Sequence, residues 1–241
     1  SGQDITLDEA ASTFGTLALT GANVAVTDAG ATDWGASIVS GMLGITSGAT
    51  VTDSGTLAIT GATTISASGQ DITLSEAAST FGTISLTGAN VAVTEAAATD
   101  LGASTVSGTF GVTSTGAITD SGTLAITGAS TFTNSGGTDE AITLDDSANA
   151  FTGSVTFATD SGSAVTIVDT TALDLVALSA ASLNVTAGGA VTDSGTLAIT
   201  GATTISASGQ DITLSEAAST FGTISLTGAN VAVTEAAATD L

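Results

Sequence analysis

The chain contains no lysine, arginine, histidine, cysteine, proline or tyrosine, and its 23 acidic residues give a formal charge of −23 over 241 residues. Nucleic-acid backbones are bound mainly through lysine and arginine, so the composition argues against nucleic-acid binding. An anionic membrane surface repels such a chain, and no apolar run of about 18 residues is present to insert into a bilayer. Without cysteine, no disulfide can hold the fold together.

The same absences remove most catalytic side chains. Histidine, cysteine and lysine supply the usual bases and nucleophiles, so the serines have no activating partner. A carboxylate-dependent glycosidase is the enzyme class that remains, with Asp28 and Asp33, or Asp145 and Asp146, as acid pairs. Paired acids are frequent in so acidic a chain and are typical of solvated turns. We therefore expect no enzyme, with this glycosidase as a very weak alternative.

The residues that are present repeat along the chain. Ile-Thr-Leu begins at Ile5, Ile72, Ile142 and Ile212, and a phenylalanine follows nine residues after each of these isoleucines. Residues 51–101 recur without change as residues 191–241. Such periodicity is typical of stacked structural units. We predict one continuous domain over 1–241, built from the units 1–67, 68–137 and 138–207 and the partial unit 208–241.

Within each unit, apolar residues alternate with small polar ones over four to six residues. Leu17 and Leu19 lie on one side of such a segment, and Thr16, Ala18 and Thr20 on the other. This period, interrupted by Ser-Gly or Thr-Gly, indicates short β-strands. The strands form three series, which predicts three faces and three coils per unit. The fold class is then all-β, a parallel β-solenoid of about 22 residues per coil and about 11 coils.

Residues 79–91, with the sequence STFGTISLTGANV, and residues 101–108, with the sequence LGASTVSG, resemble repeats of giant bacterial exoproteins. These are the filamentous-haemagglutinin-like and autotransporter-like repeat proteins, and the resemblance covers essentially the whole chain. It implies a right-handed parallel β-helix that is secreted and is adhesive or structural. It also implies an extracellular or cell-surface location.

Oxygen ligands from acidic turns are the remaining candidates for binding chemistry, because hard cations such as Ca²⁺ prefer them. No EF-hand loop or glycine-rich calcium repeat is present, so no cofactor is required and any Ca²⁺ binds diffusely or weakly at turn carboxylates. The candidate ligands are acid pairs that recur between units: Asp4, Glu9, Asp28, Asp33, Asp71, Glu76, Glu95 and Asp100.

We expect the chain to be a structural segment of an extracellular filament or giant cell-surface fibre. Its main partner is then itself, through end-to-end or lateral assembly, with divalent cations as further partners. The alternative is an adhesin stalk whose faces contact glycans or neighbouring cells. Verbatim copying favours the structural role, because a unique site gains nothing from duplication.

Overall fold

The computed structural model describes residues 2–137 and 139–236, which form 31 strands and no helix. Accordingly, this part of the chain has no helix that could cross a membrane. The strands are β1 Ile5–Leu7, β2 Thr16–Leu17, β3 Thr20–Gly21, β4 Val24–Asp28, β5 Thr32–Trp34, β6 Ser37–Val39, β7 Leu43–Ser47, β8 Val51–Asp53, β9 Leu57–Ile59, β10 Thr63–Ser66, β11 Ile72–Leu74, β12 Thr83–Gly88, β13 Val91–Glu95, β14 Thr99–Leu101, β15 Ser104–Val106, β16 Phe110–Ser114, β17 Ile118–Asp120, β18 Leu124–Ile126, β19 Ser130–Asn134, β20 Ile142–Leu144, β21 Ala150–Phe151, β22 Val155–Ala158, β23 Ala164–Asp169, β24 Leu173–Leu175, β25 Leu178–Ala180, β26 Ser182–Ala187, β27 Val191–Asp193, β28 Leu197–Ser206, β29 Ile212–Leu214, β30 Thr220–Thr227 and β31 Val231–Val233.

The strands stack into a parallel β-solenoid, as the sequence predicts. Sheet 1 runs through β1, β4, β7, β10, β12, β14, β17, β20, β23, β26, β28 and β30. Sheet 2 runs through β2, β5, β8, β11, β13, β16, β19, β22, β24, β27, β29 and β31. A third series of short strands lies between the two long sheets. Strands β3, β6 and β9 form the third sheet, and the series continues with β15, β18 and β21 and then with β25 and the first half of β28, which are joined to sheet 1 by hydrogen bonds. Twelve strands in each long sheet correspond to eleven steps, which confirms the expected coil number.

The strand register gives the length of a coil. Val24 pairs with Leu43, and Leu43 pairs with Thr63, so a coil is slightly shorter than the predicted value of about 22 residues. From Val51 in β8 to its identical copy Val191 in β27, sheet 2 takes seven steps. These copies lie two units apart, so one unit spans three and a half coils. The expectation of three coils per unit was wrong, because shorter coils fit more often into the same unit.

Because each unit adds half a coil, equivalent strands exchange sheets from one unit to the next. The Ile-Thr-Leu strands β1 and β20 belong to sheet 1, whereas β11 and β29 belong to sheet 2. The third series changes side as well. The chain passes from sheet 2 through β3 to sheet 1 in the first unit, but from sheet 1 through β15 to sheet 2 in the second. Two units restore the original arrangement, and two units are the distance between the verbatim copies.

The core is a single column of inward-pointing side chains. Val, Ile and Leu fill most positions, and Phe132 contacts the rings of Phe110, Phe151 and Phe157 with centroid distances of 5.8 to 6.0 Å. Trp34 lies fully buried where Leu101 lies in the next unit. These aromatic residues therefore pack inside the solenoid.

Some corners permit only glycine because successive coils touch there through their backbones. A β-carbon on Gly61 would lie 2.5 Å from the carbonyl oxygen of Gly41 in the coil below. A β-carbon on Gly82 would meet the same oxygen atom of Gly61 at 2.6 Å. Such distances are shorter than any van der Waals contact, so glycine keeps this corner tight.

Candidate functional site: hydroxyl faces and acidic corners

The two long sheets present rows of small side chains to solvent. In each strand the residues that flank an inward-pointing side chain point outward, and the register aligns them into columns. Column 1, on sheet 1, consists of Thr6, Ala25, Gly44, Thr64, Ser85, Asp100, Thr119, Thr143, Thr166, Asn184, Thr204 and Ser225. It shifts by two residues within β12, because Ser85 pairs with Thr64 whereas Asp100 pairs with Thr83. Column 2, on sheet 2, consists of Thr16, Asp33, Thr52, Thr73, Ala92, Gly111, Thr131, Thr156, Asp174, Thr192, Thr213 and Ala232. It shifts by two residues between β22 and β24, because Val155, the residue before Thr156, pairs with Leu175, the residue after Asp174.

Three of these 24 column positions are acidic, and each of these acids is bound by hydroxyls of neighbouring coils. Ser54 and Thr16 each donate to Asp33 Oδ2 at 2.7 Å. These two bonds, Ser54 first, lower the pKa of Asp33 below its ordinary value of 3.8. Asp100 accepts equivalent bonds from Thr83 and Ser121, and Asp174 from Ser194 and Thr192.

A second class of acids precedes the Ile-Thr-Leu strands at an exposed corner. Asp4 Oδ1 accepts hydrogen bonds from the backbone N–H and the side-chain Nδ2 of Asn23, at 3.1 and 2.9 Å. Asp71 makes the same pair of bonds with Asn90 one unit later. This contact ties each coil to the next at the point where the strand begins.

A third class, the corner carboxylates, is buried: Asp28, Glu95 and Asp169 are each 1% exposed. Each accepts the backbone N–H of a phenylalanine at the same corner, Phe14, Phe81 or Phe151, at 3.4, 2.8 and 3.1 Å. A threonine hydroxyl donates a second bond, from Thr32, Thr99 or Thr171. The chain has no cationic side chain, so backbone and hydroxyl donors are the groups that hold these carboxylates.

Burial dominates the acid–base behaviour of two corner carboxylates. It raises the pKa of Glu95 above 4.5, although the N–H of Phe81 and the hydroxyl of Thr99 partly oppose the shift. Burial likewise raises the pKa of Asp169 above 3.8, against the bonds from Thr171 and Phe151. Taking an anion out of water costs free energy, and these hydrogen bonds recover only part of that cost.

A fourth class closes the turn after the Ile-Thr-Leu strand. Asp53 accepts the backbone N–H groups of Ser75 and Glu76 from the next coil, at 2.7 and 3.2 Å. Asp193, the identical copy, accepts those of Ser215 and Glu216. Asp120 occupies the equivalent position, and burial raises its pKa despite a hydrogen bond from Asn149.

The structure distributes the predicted calcium ligands among these classes. Asp4 and Asp71 bind asparagines, Asp33 and Asp100 bind hydroxyls, Asp28 and Glu95 are buried, and Glu9 and Glu76 lie at the corner that follows the Ile-Thr-Leu strand. Over residues 2–137 and 139–236, no three acidic side chains come together as a metal-binding group. Weak calcium binding therefore stays a prediction.

Two acid series were missing from the sequence predictions of site residues. The first series recurs in the motif Asp-Ser-Gly-Thr-Leu and consists of Asp53, Asp120 and Asp193. The second is Asp169, which aligns with Asp28 and Glu95 at the end of a strand whose side chains alternate between core and solvent. In both cases the signal is the position of the acid in the repeated pattern. An acid at an inward position of a strand pattern indicates a buried, hydrogen-bonded carboxylate.

A shallow cavity of about 290 Å³ lies over the first four strands of sheet 1. Ala25, Gly44, Met42 and Asp4 are among its lining residues. Asp4 is the single acidic group among its lining residues, so the cavity does not contain a carboxylate pair. The predicted pair partner Asp28 is buried at a corner, and the absence of an enzymatic role stays a prediction.

Fold and site together define a β-solenoid repeat protein whose acids accept hydrogen bonds at its corners and turns. A family model described as "Repeats of unknown function (DUF5649)" matches residues 21–87, 88–158 and 162–228. The chain belongs to this family, and the family repeat agrees in length with the units recognised in the sequence. No curated protein and no solved structure is significantly similar to the chain.

Proposed function

We propose that this chain is a structural segment of an extracellular filament or giant cell-surface fibre. The observation that carries the proposal is the continuity of both long sheets across every unit junction in the described residues. Strand β8 pairs with β11, β17 with β20, and β27 with β29, each in parallel register. A chain can therefore add units without a new kind of contact.

The mechanism is mechanical. Each coil adds about 4.8 Å of length and one set of hydrogen bonds in each sheet. The eleven steps of sheet 1 correspond to a rod of about 53 Å. The parallel hydrogen-bond ladders share any load along the axis. The exposed acids at corners and turns repel the same acids of a neighbouring rod. The resemblance of residues 79–91 and 101–108 to giant bacterial exoprotein repeats supports a secreted location.

The verbatim copy allows a direct test of extension. We insert a second copy of residues 51–190 between Ala190 and Val191, so that both junctions keep their native neighbours. We expect the rod to lengthen by seven coils, about 34 Å, at constant cross-section. Small-angle scattering measures both quantities, and electron microscopy measures the length directly.

A scrambled insert of the same composition is the matched control, because it adds mass without the repeat. A longer rod with the native insert alone supports the proposal. Equal behaviour of both inserts, or a thicker particle with the native insert, would overturn it. Surface labelling of intact cells that produce the protein tests the location separately.

A further inference from the structure

The acids of this chain leave two of its surfaces almost uncharged. Of the 24 positions in columns 1 and 2, 21 are Thr, Ser, Ala, Gly or Asn. The outward positions beside the columns are similar: Thr27, Thr46 and Ser66 on sheet 1, and Thr94, Thr113 and Thr133 on sheet 2. The remaining acids in the described residues lie at strand ends, corners and turns.

Charge decides which surfaces of two copies can approach each other. With no cationic side chain, a copy offers no attraction to the acidic corners of its neighbour. Like charges brought together without compensation cost free energy, so corner-to-corner contacts are disfavoured. The outer faces of sheets 1 and 2 avoid this cost. The exceptions Asp33, Asp100 and Asp174 already accept hydroxyl hydrogen bonds that spread their charge.

The area of each face approaches that of a stable interface. The strands average between three and four residues in sheet 2 and between four and five in sheet 1, so one coil offers about 4.8 Å along the axis and about 12 to 15 Å across, or about 55 to 70 Å². Eleven coils offer about 600 to 800 Å² per face, against the roughly 800 Å² per partner of a standard protein interface. The area grows with every added unit. Two copies have the same rise of about 4.8 Å per coil, so the same contact repeats at every coil along the rod.

From these observations we propose that the outer faces of sheets 1 and 2 are lateral docking surfaces for further copies of this chain. Small side chains let two sheets pack face to face at about 10 Å. Each copy has two such faces, so copies stack sheet on sheet into a layered bundle with acidic edges. This proposal rests on the proposed fibre role and specifies how neighbouring rods in a fibre meet.

The test compares three triple variants of the full chain, each of which adds three acidic side chains at exposed positions. The sheet 2 variant changes column 2: Thr73→Glu, Thr131→Glu and Thr192→Glu. The sheet 1 variant changes column 1: Thr64→Glu, Thr119→Glu and Thr204→Glu. The corner variant is the charge-matched control: Ala10→Glu, Ala77→Glu and Ala217→Glu. Circular dichroism establishes that each variant keeps the native strand content.

Association is measured by analytical ultracentrifugation at moderate salt with EDTA, which excludes bridging by divalent cations. We expect the native chain and the corner variant to form extended stacks. Each face variant should lose the extended stacks and form dimers at most, because only one docking face remains. A combination of both face variants should stay single, with at least a tenfold rise in the concentration needed for association.

The proposal would be overturned by native rods that stay single at every concentration, or by a corner variant as defective as the face variants. Single rods that bind an immobilised polysaccharide would reassign the faces to glycan binding and also overturn it. Single rods of the expected length leave the fibre role intact. Loss of the rod itself would instead contradict the proposed function.

Discussion

Burial of a carboxylate without a cation is the principal residue-scale cost in this fold. Glu95 lies at 1% exposure and is held by the N–H of Phe81 and the hydroxyl of Thr99. Because burial raises its pKa, the folded protein binds the proton more tightly than the unfolded chain. The stability contribution of this proton is fully present below pH 4.5 and is lost as the pH rises through the folded-state pKa.

Glu95→Gln is therefore expected to stabilise the protein at neutral pH. The amide keeps an oxygen for Phe81 N–H and removes the buried charge, for a gain on the order of 1 kcal/mol at pH 7. The gain should disappear at low pH, where Glu95 is neutral in both states. Thermal unfolding across pH 3 to 8 measures this dependence.

Glu9→Gln is the control for that experiment, since Glu9 is exposed at the following corner. At pH 7 it should change the stability by less than Glu95→Gln does, because it removes a charge that is already in contact with solvent. If Glu95→Gln destabilised the protein equally at all pH values, the amide would be failing to fit the corner. Desolvation would then not be the dominant effect at this site.

At the scale of the element, the corners rather than the strands limit which side chains a coil can contain. Strands are two to ten residues long, and their outward positions are occupied by many small side chains. The corner through Gly41, Gly61 and Gly82 has no space for a β-carbon. Coil spacing there is set by backbone contact, and the hydrogen-bond ladders on either side keep the backbones from moving apart.

Gly61→Ala is expected to destabilise the protein by about 1 to 3 kcal/mol through the clash with the carbonyl group of Gly41. Gly15→Ala is the matched control, since a β-carbon on Gly15 meets nothing within 4 Å. Its expected effect is neutral or slightly stabilising. Denaturant unfolding measures both changes, and equal stability of the two variants would refute backbone contact as the constraint.

At the scale of the whole molecule, linear charge density is the dominant property. The 22 acids of residues 2–137 and 139–236 over eleven coil steps amount to about one charge per 2.4 Å, comparable with the ~1.7 Å of duplex DNA. A rod of this charge density gathers counterions along its length. Because the acids lie in separate hydrogen-bonded classes, we expect the attraction to be diffuse rather than confined to one coordinated ion.

Ca²⁺ and Mg²⁺ are accordingly expected to bind weakly and with similar affinity, and sodium chloride should displace both. Isothermal titration calorimetry at two salt concentrations measures this behaviour. A tight, saturable Ca²⁺ site with little response to salt would contradict the diffuse description. It would instead support a coordinated site among the acid pairs predicted from the sequence.

The candidate site was predictable from the sequence only in outline. Acids at turns and hydroxyls on outward strand positions follow from alternation alone, as Thr52 and Thr73 illustrate. Which acids are buried was not apparent, because Asp28 and Asp33 are close in the chain yet have opposite surroundings. The direction of a side chain at a strand end depends on how the corner turns, and the corner is a tertiary feature.

The sequence by itself determined the repeat, the strands and the apolar core, because period-two alternation and repeated motifs act locally. Only the tertiary structure decided that a unit takes three and a half coils, that β1 and β11 lie on different sheets, and that the third series changes side. These properties depend on how many residues each corner contains, because that number determines which strands pair with each other. The offset between the verbatim copies, from Val51 to Val191, is thus the distance after which the solenoid, and not only the sequence, repeats.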